Sequence, residues 1–285
     1  KDVLSRSSYR EYSLTPACEG VLELLWNLPE GIDFRSDPIK PGWTVNIKTE
    51  ELLTIAFQSI RSQCIDFLQD RRFSLPERIL LMGMSLKELA DGETDLPAWL
   101  ARARALPEQT QPGTLLKETE QTLPLVLANN THALSQLATT NQDFAALRAE
   151  ILHQLTQTNG TKARLLTNPY RRAQDRYAER FPDRAYFMEN LLVAVFFHLQ
   201  LPVTNTPEEL WRSYVNFCNL YAFYRFMAVM SCREGAEGNR NDLFRSIVHA
   251  SRGMLHNSQH QAILRDEYFK NDSATLAHMA LLLGG

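Results

Sequence analysis

Apolar residues along this chain recur mostly at intervals of three and four, the period of one buried helix face. Leu52, Leu53, Ala56, Phe57, Ile60, Cys64, Phe67 and Leu68 predict a helix that opens at Thr49. The threonine can cap the first free amides, and Glu50 and Glu51 suit the positive end of the helix. Ser74-Leu75-Pro76-Glu77 is a capping box with proline in the first turn, and it predicts a helix to about Ala90, stopped by Asp91-Gly92. Pro97, Pro107, Pro112 and Pro124 weaken the pattern from Glu93 to Pro124, which reads as a long connection with one short helix over Trp99–Leu106. A helix is predicted from Leu125 to Gln157, ended by Asn159-Gly160, then a shorter amphipathic segment to Phe181. Asp183 can cap a very apolar helix from Arg184 to Leu201. Thr206-Pro207-Glu208-Glu209 is a second capping box, opening an aromatic helix through Trp211, Tyr214, Phe217, Tyr221, Tyr224 and Met227 that ends near Gly235. Leu243 to Leu255 marks the next helix, Ser258 with Gln261 another, and Ser273 the last. Only Trp43–Lys48 alternates like a strand.

The pattern predicts an all-α fold of roughly ten helices, with at most one short strand or hairpin near the N-terminus. Its expected organisation is an N-terminal helical segment over 1–92, a proline-containing connection over 93–124 and a C-terminal helical core over 125–285, together forming one compact domain.

Charge narrows the function classes. The net charge is −3, whereas neutralising phosphates requires a surplus of lysine and arginine, so nucleic acid is not an expected partner. A basic stretch from Arg164 to Arg184 is offset by Asp175, Glu179 and Asp183 and reads as a solvated helix face. The longest strictly apolar run, Leu191 to Phe197, falls far short of the ~20 residues of a membrane span. The polar start KDVLSRSSYREY has no secretory character, so a soluble, cytoplasmic protein is expected. The four cysteines, Cys18, Cys64, Cys218 and Cys232, form no local pair of the kind that zinc or cluster motifs use. Cys64 and Cys218 lie among apolar residues and are expected as buried free thiols. No glycine-rich dinucleotide turn, nucleophile elbow or HExxH motif occurs.

The candidate chemistry lies in polar residues set among apolar ones. Glu189 and Asn190 interrupt YFMENLLVAVFF, and a buried carboxylate needs a partner. Either Glu189 pairs with an arginine and pins the helices, or it lines a cleft and binds a cation such as a lysine ammonium. His256 and Asn257 stand where one helix gives way to the next. They serve either as helix-end residues or, with Arg252 and Gln259, as a polar cluster for substrate or cofactor, with His256 accepting a proton. The stripe of Trp211, Tyr214, Tyr221 and Tyr224 reads as core ahead of a cage for methylated amines.

Several of these segments together resemble the flagellin lysine-N-methylase family. RFPDRAYFMENLLVAVFFHLQLPV resembles the family's Glu-Asn apolar helix, NLYAFYRFMAVM the aromatic helix after it, and SIVHASRGMLHNSQHQ its late Ser-Arg…His-Asn element. SLTPACEGVLELLW is similar to the family's Ser-Leu-x-x-Cys-Pro-Glu stretch, and PERILLMGMSLKELADG to its early Arg-Leu-Leu helix. The resemblance runs from about residue 12 to the end. It implies an S-adenosylmethionine-dependent methylase acting on flagellin lysines, with a 4Fe-4S cluster in a cysteine-rich N-terminal module. This chain would be the helical C-terminal part, serving substrate docking or as one wall of the active cleft. By the same resemblance Glu189 and His256 are the catalytic candidates, Asn190, Arg252 and Asn257 the substrate-binding ones, and Cys18 the candidate cluster ligand. The cysteine cluster itself does not occur in this chain, and Cys18 is followed by Glu19-Gly20 where the family has Pro-Glu. The beginning at Lys1, without an initiator methionine, suggests a truncated product. A helical scaffold that binds a partner helix without catalysis is the alternative.

Overall fold

The computed structural model describes residues 2–6, 9–34, 57–117, 123–137, 139, 141–156, 162–199, 201, 206–255, 269 and 273–284. The fold is all-α, as the periodicity predicts. An antiparallel pair, β1 (Asp2–Arg6) and β2 (Tyr9–Ser13), precedes the helices. The helices are α1 (Glu19–Trp26), α2 (Phe57–Gln69), α3 (Leu75–Ala90), α4 (Leu96–Gln109), α5 (Pro112–Lys117) and α6 (Leu123–Gln136). They continue with α7 (Gln142–Thr156), α8 (Lys162–Arg180), α9 (Ala185–His198), α10 (Pro207–Met230), α11 (Arg240–Leu255) and α12 (Leu276–Gly284). The expected strand at Trp43–Lys48, the start of the helix from Thr49 and the helix from Ser258 lie outside the described residues.

Two compact units divide the chain, each assembled from two stretches. The first comprises Lys1–Thr110 with Tyr186–Tyr214, the second Gln111–Ala185 with Val215–Gly285.

In the first unit, α2 buries Ile60, Cys64, Phe67 and Leu68, the face that its spacing predicts. The capping box that opens α3 is present: Glu77 Oε2 accepts from the Ser74 amide at 2.7 Å and from its hydroxyl at 2.6 Å. Glu77→Ala removes that acceptor and is expected to cost about 1 kcal/mol, seen as a lower midpoint in urea unfolding. Within the connection expected over 93–124, the one short helix expected at Trp99–Leu106 is longer, as α4, and α5 follows it. Asp95 caps α4 by accepting from the Ala98 amide at 3.0 Å. Pro97 sits in the first turn, where no amide is needed, and Pro107 falls close to the helix end. Burial then secures the helix: the Trp99 ring is 1% exposed and its indole N–H donates to the Ser85 carbonyl at 2.8 Å.

In the second unit the single helix expected over Leu125–Gln157 is two helices. Asn141 Oδ1 accepts from the Phe144 amide at 2.9 Å and Thr139 Oγ1 from the Asn141 amide at 3.0 Å, so this polar run restarts the chain as a new helix, α7. Arg148 donates to the Leu137 carbonyl at the end of the preceding helix. Last in the chain, α12 is capped at Thr275, whose hydroxyl accepts from the His278 amide at 3.2 Å, rather than at Ser273.

Candidate functional site

Helix α9 is apolar on nearly every side, so its two polar residues must find partners in the protein. Glu189 is 3% exposed and lies against two arginines from the chain around the α2–α3 turn. Arg71 donates from Nη2 to Oε1 at 2.9 Å and from Nε to Oε2 at 3.0 Å, and Arg78 donates from Nη1 to Oε2 at 2.6 Å. Arg78 also donates to the carbonyls of Leu68 at 3.0 Å and Phe73 at 2.7 Å, which fixes its guanidinium plane. Both carboxylate oxygens are engaged, so a lysine ammonium would have to displace an arginine to reach them. The arginine-pairing reading of Glu189 is the one this geometry matches.

Asn190, fully buried, donates from Nδ2 to the carbonyls of Leu28 at 2.8 Å and Leu25 at 3.1 Å. Tyr186 donates its hydroxyl to Trp26 O at 2.8 Å, and Gln69 donates to Ile32 O at 3.0 Å. These bonds hold the end of α1 and the turn after it against α9 and α2, supplying donors to carbonyls that the helix end leaves free. Gly31 allows the close approach. Its φ is +97°, and a Cβ there would stand 3.3 Å from Gln69 Nε2 and 3.5 Å from Glu189 Oε1. Sequence reasoning missed Arg71, Arg78 and Gln69, because no local pattern links the arginines to residue 189 or Gln69 to residue 32.

Cys18 is exposed at the N-cap position of α1, where its carbonyl accepts from the Val21 and Leu22 amides. Cys64 and Cys218 are buried free thiols as expected, and burial raises the Cys64 pKa far above the ordinary thiol value. Among the described residues no group of three His, Cys, Asp or Glu side chains could hold a metal ion.

In the second unit, Arg252 is exposed on α11. His256, Asn257 and Gln259 lie outside the described residues. The aromatic stripe of α10 is buried throughout, as core. One of its tyrosines, Tyr221, does meet a cation, but an internal one: the Arg225 guanidinium, which also acts on Tyr170 and Tyr177 of α8 and donates to the Leu283 carbonyl at 3.3 Å. Burial raises the pKa of Tyr170, Tyr177 and Tyr221, while the guanidinium pulls each back. Tyr224 instead shares a 2.9 Å hydrogen bond with Ser251.

Clefts open among the described residues of this unit. One, of about 260 Å³, is lined by Arg176, Glu179 and Arg180 of α8 and by Cys232, Glu237 and Gly238 of the α10–α11 loop. Another, of about 140 Å³, lies by Asp143, Glu150, Arg233 and Arg245, where Arg233 and Glu150 form an ion pair. The sequence had offered Arg176 and Arg180 only as part of a solvated basic face.

The fold is all-α, and its buried carboxylate, Glu189, is paired with arginines of the same unit. A family model described as FliB lysine N-methylase C-terminal domain matches residues 61–282. The chain belongs to that family. No curated protein and no solved structure matches it. No helix among the described residues is long and apolar enough to cross a membrane.

Proposed function

We propose that the intact protein transfers methyl groups from S-adenosylmethionine to lysine ε-amines of flagellin, and that this domain docks the protein substrate or walls one side of the reaction chamber. The observation that carries the proposal is the lysine N-methylase family match over residues 61–282. The acceptor amine must lose its proton and be held in line with the methyl group, and a desolvating wall lowers a lysine pKa. In this reading exposed Arg252, with Asn257, contacts substrate, and His256 takes the proton. Glu189 and Asn190, engaged with arginines and backbone carbonyls, act as positioning residues for the wall. The protein works in the cytoplasm, where its substrate is made.

A whole methyl donor does not fit the clefts described. Neither is lined by an aromatic ring on which an adenine could stack. The larger, at about 260 Å³, lies below the ~300 Å³ at which ligand pockets usually begin. The donor set for an iron–sulfur cluster is likewise absent among the described residues: Cys18 is exposed, the other three thiols are buried, and no ligand group forms.

The test is to incubate this chain and the full-length protein separately with flagellin and labelled S-adenosylmethionine. Label incorporated by the full-length protein alone is the expected result. Incorporation by this chain alone would overturn the walling role, and no incorporation by either, with tight flagellin binding, would favour the non-catalytic scaffold.

A further inference from the structure

The larger cleft of the second unit has a construction that the methylase reading does not use. Arg172, Arg176 and Arg180 follow one another at four-residue intervals on α8, so they share a face. Arg176, half-buried, donates from Nε to the Cys232 carbonyl at 2.7 Å. Arg180 donates from Nε to Gly238 O at 3.3 Å and from Nη2 to Glu237 O at 3.0 Å. The loop that offers these carbonyls is itself set. Gly235 and Gly238 take φ of +81° and +63°, and the Gly238 amide donates to Asp242 Oδ2 at 2.9 Å. Two guanidinium planes are thus oriented by backbone carbonyls before any ligand arrives. The terminal amino groups of Arg176 have no protein partner among the described residues, and neither does the carboxylate of Glu179, which lines the same cleft.

Oriented guanidinium N–H groups favour a planar carboxylate. The exposed carboxylates of Glu179 and Glu237 oppose a multiply charged anion and favour a cation beside the bound carboxylate. A space of about 260 Å³ takes a small molecule or the end of a larger one. We infer that the cleft between α8 and the α10–α11 loop binds an α-amino-acid zwitterion, with the carboxylate on Arg176 and Arg180 and the ammonium toward Glu179 or Glu237. The zwitterion arrives as a free amino acid or as the amino-acid end of an S-adenosyl compound. Only the second source rests on the proposed methylase function.

The test is an NMR titration of this chain that follows the amides of Gly235 and Gly238. L-Methionine should shift both saturably, N-acetyl-L-methionine should bind a few-fold more weakly, and L-methioninamide should not bind. Arg176→Gln should weaken L-methionine by roughly ten-fold or more. Since Arg176 also holds the loop, Glu179→Gln is the second variant: it should weaken L-methionine and leave N-acetyl-L-methionine unchanged. S-Adenosylhomocysteine that binds more tightly than L-methionine, through the same glycines, identifies the larger source, and equal affinity identifies the free amino acid. No saturable shift, methioninamide binding as well as methionine, or inorganic phosphate binding as tightly would overturn the inference. Methyl transfer by the full-length protein is measured separately, so a negative titration leaves that reading standing.

Discussion

Glu189→Ala is expected to lower the melting temperature of the first unit by roughly 6–12 °C, corresponding to a loss of about 3 kcal/mol. The substitution leaves two guanidinium groups facing a vacated site. Arg71 has 42% of its side chain exposed and can turn into solvent, so its share of the loss is small. Arg78 cannot: its side chain is 10% exposed and tied to the Leu68 and Phe73 carbonyls, so its charge stays buried and uncompensated. Breaking a buried pair by removing one partner costs far more than replacing both with apolar side chains. The double variant Glu189→Leu, Arg78→Met should therefore recover much of the stability that Glu189→Ala loses. A carboxylate that merely lined a cleft as a lysine ligand would leave the melting curve unchanged when removed. An unchanged curve for Glu189→Ala, with methylation abolished in the full-length protein, would return Glu189 to a catalytic role.

How much was readable beforehand follows from the range of each interaction. Helix period and caps are local, so the buried face of α2 at Ile60, Cys64, Phe67 and Leu68 and the caps at Ser74 and Thr206 were legible. The break between α6 and α7 was local too, but it was missed because Thr139 and Asn141 act there as caps inside what looked like one continuous apolar period. The prolines over 93–124 misled in the other direction: a proline in the first turn opens a helix as readily as it ends one. That Glu189 and Asn190 needed partners was evident from their apolar surroundings. Which partners they have was not, because Arg71 and Arg78 stand 118 and 111 residues away along the chain. Arg176 and Arg180 were hidden for a related reason. Their composition matches a solvated face, and only the fold of the α10–α11 loop turns carbonyls toward them.

Gly83→Ala is the second substitution with a large expected effect, and its sign opposes helix propensity. Gly83 is buried in the middle of α3, where alanine would ordinarily gain about 1 kcal/mol. An added Cβ would instead stand 2.1 Å from both Cζ and the hydroxyl oxygen of Tyr214 and 2.7 Å from Cε1, well inside van der Waals contact. Tyr214 has no room to yield: it is 2% exposed, and its ring packs on Trp211 with centroids 4.9 Å apart. The helices must move apart or the ring must leave its well, and overpacking of this kind costs about 1–3 kcal/mol or more, so a net destabilisation is expected. Urea unfolding of Gly83→Ala should show a lower midpoint with an unchanged slope. Adding Tyr214→Phe should restore little, because Cζ remains in the way. Adding Tyr214→Leu should restore most of the loss by vacating the space above residue 83. A Gly83→Ala variant more stable than the parent would mean that α3 and the start of α10 do not meet at this contact.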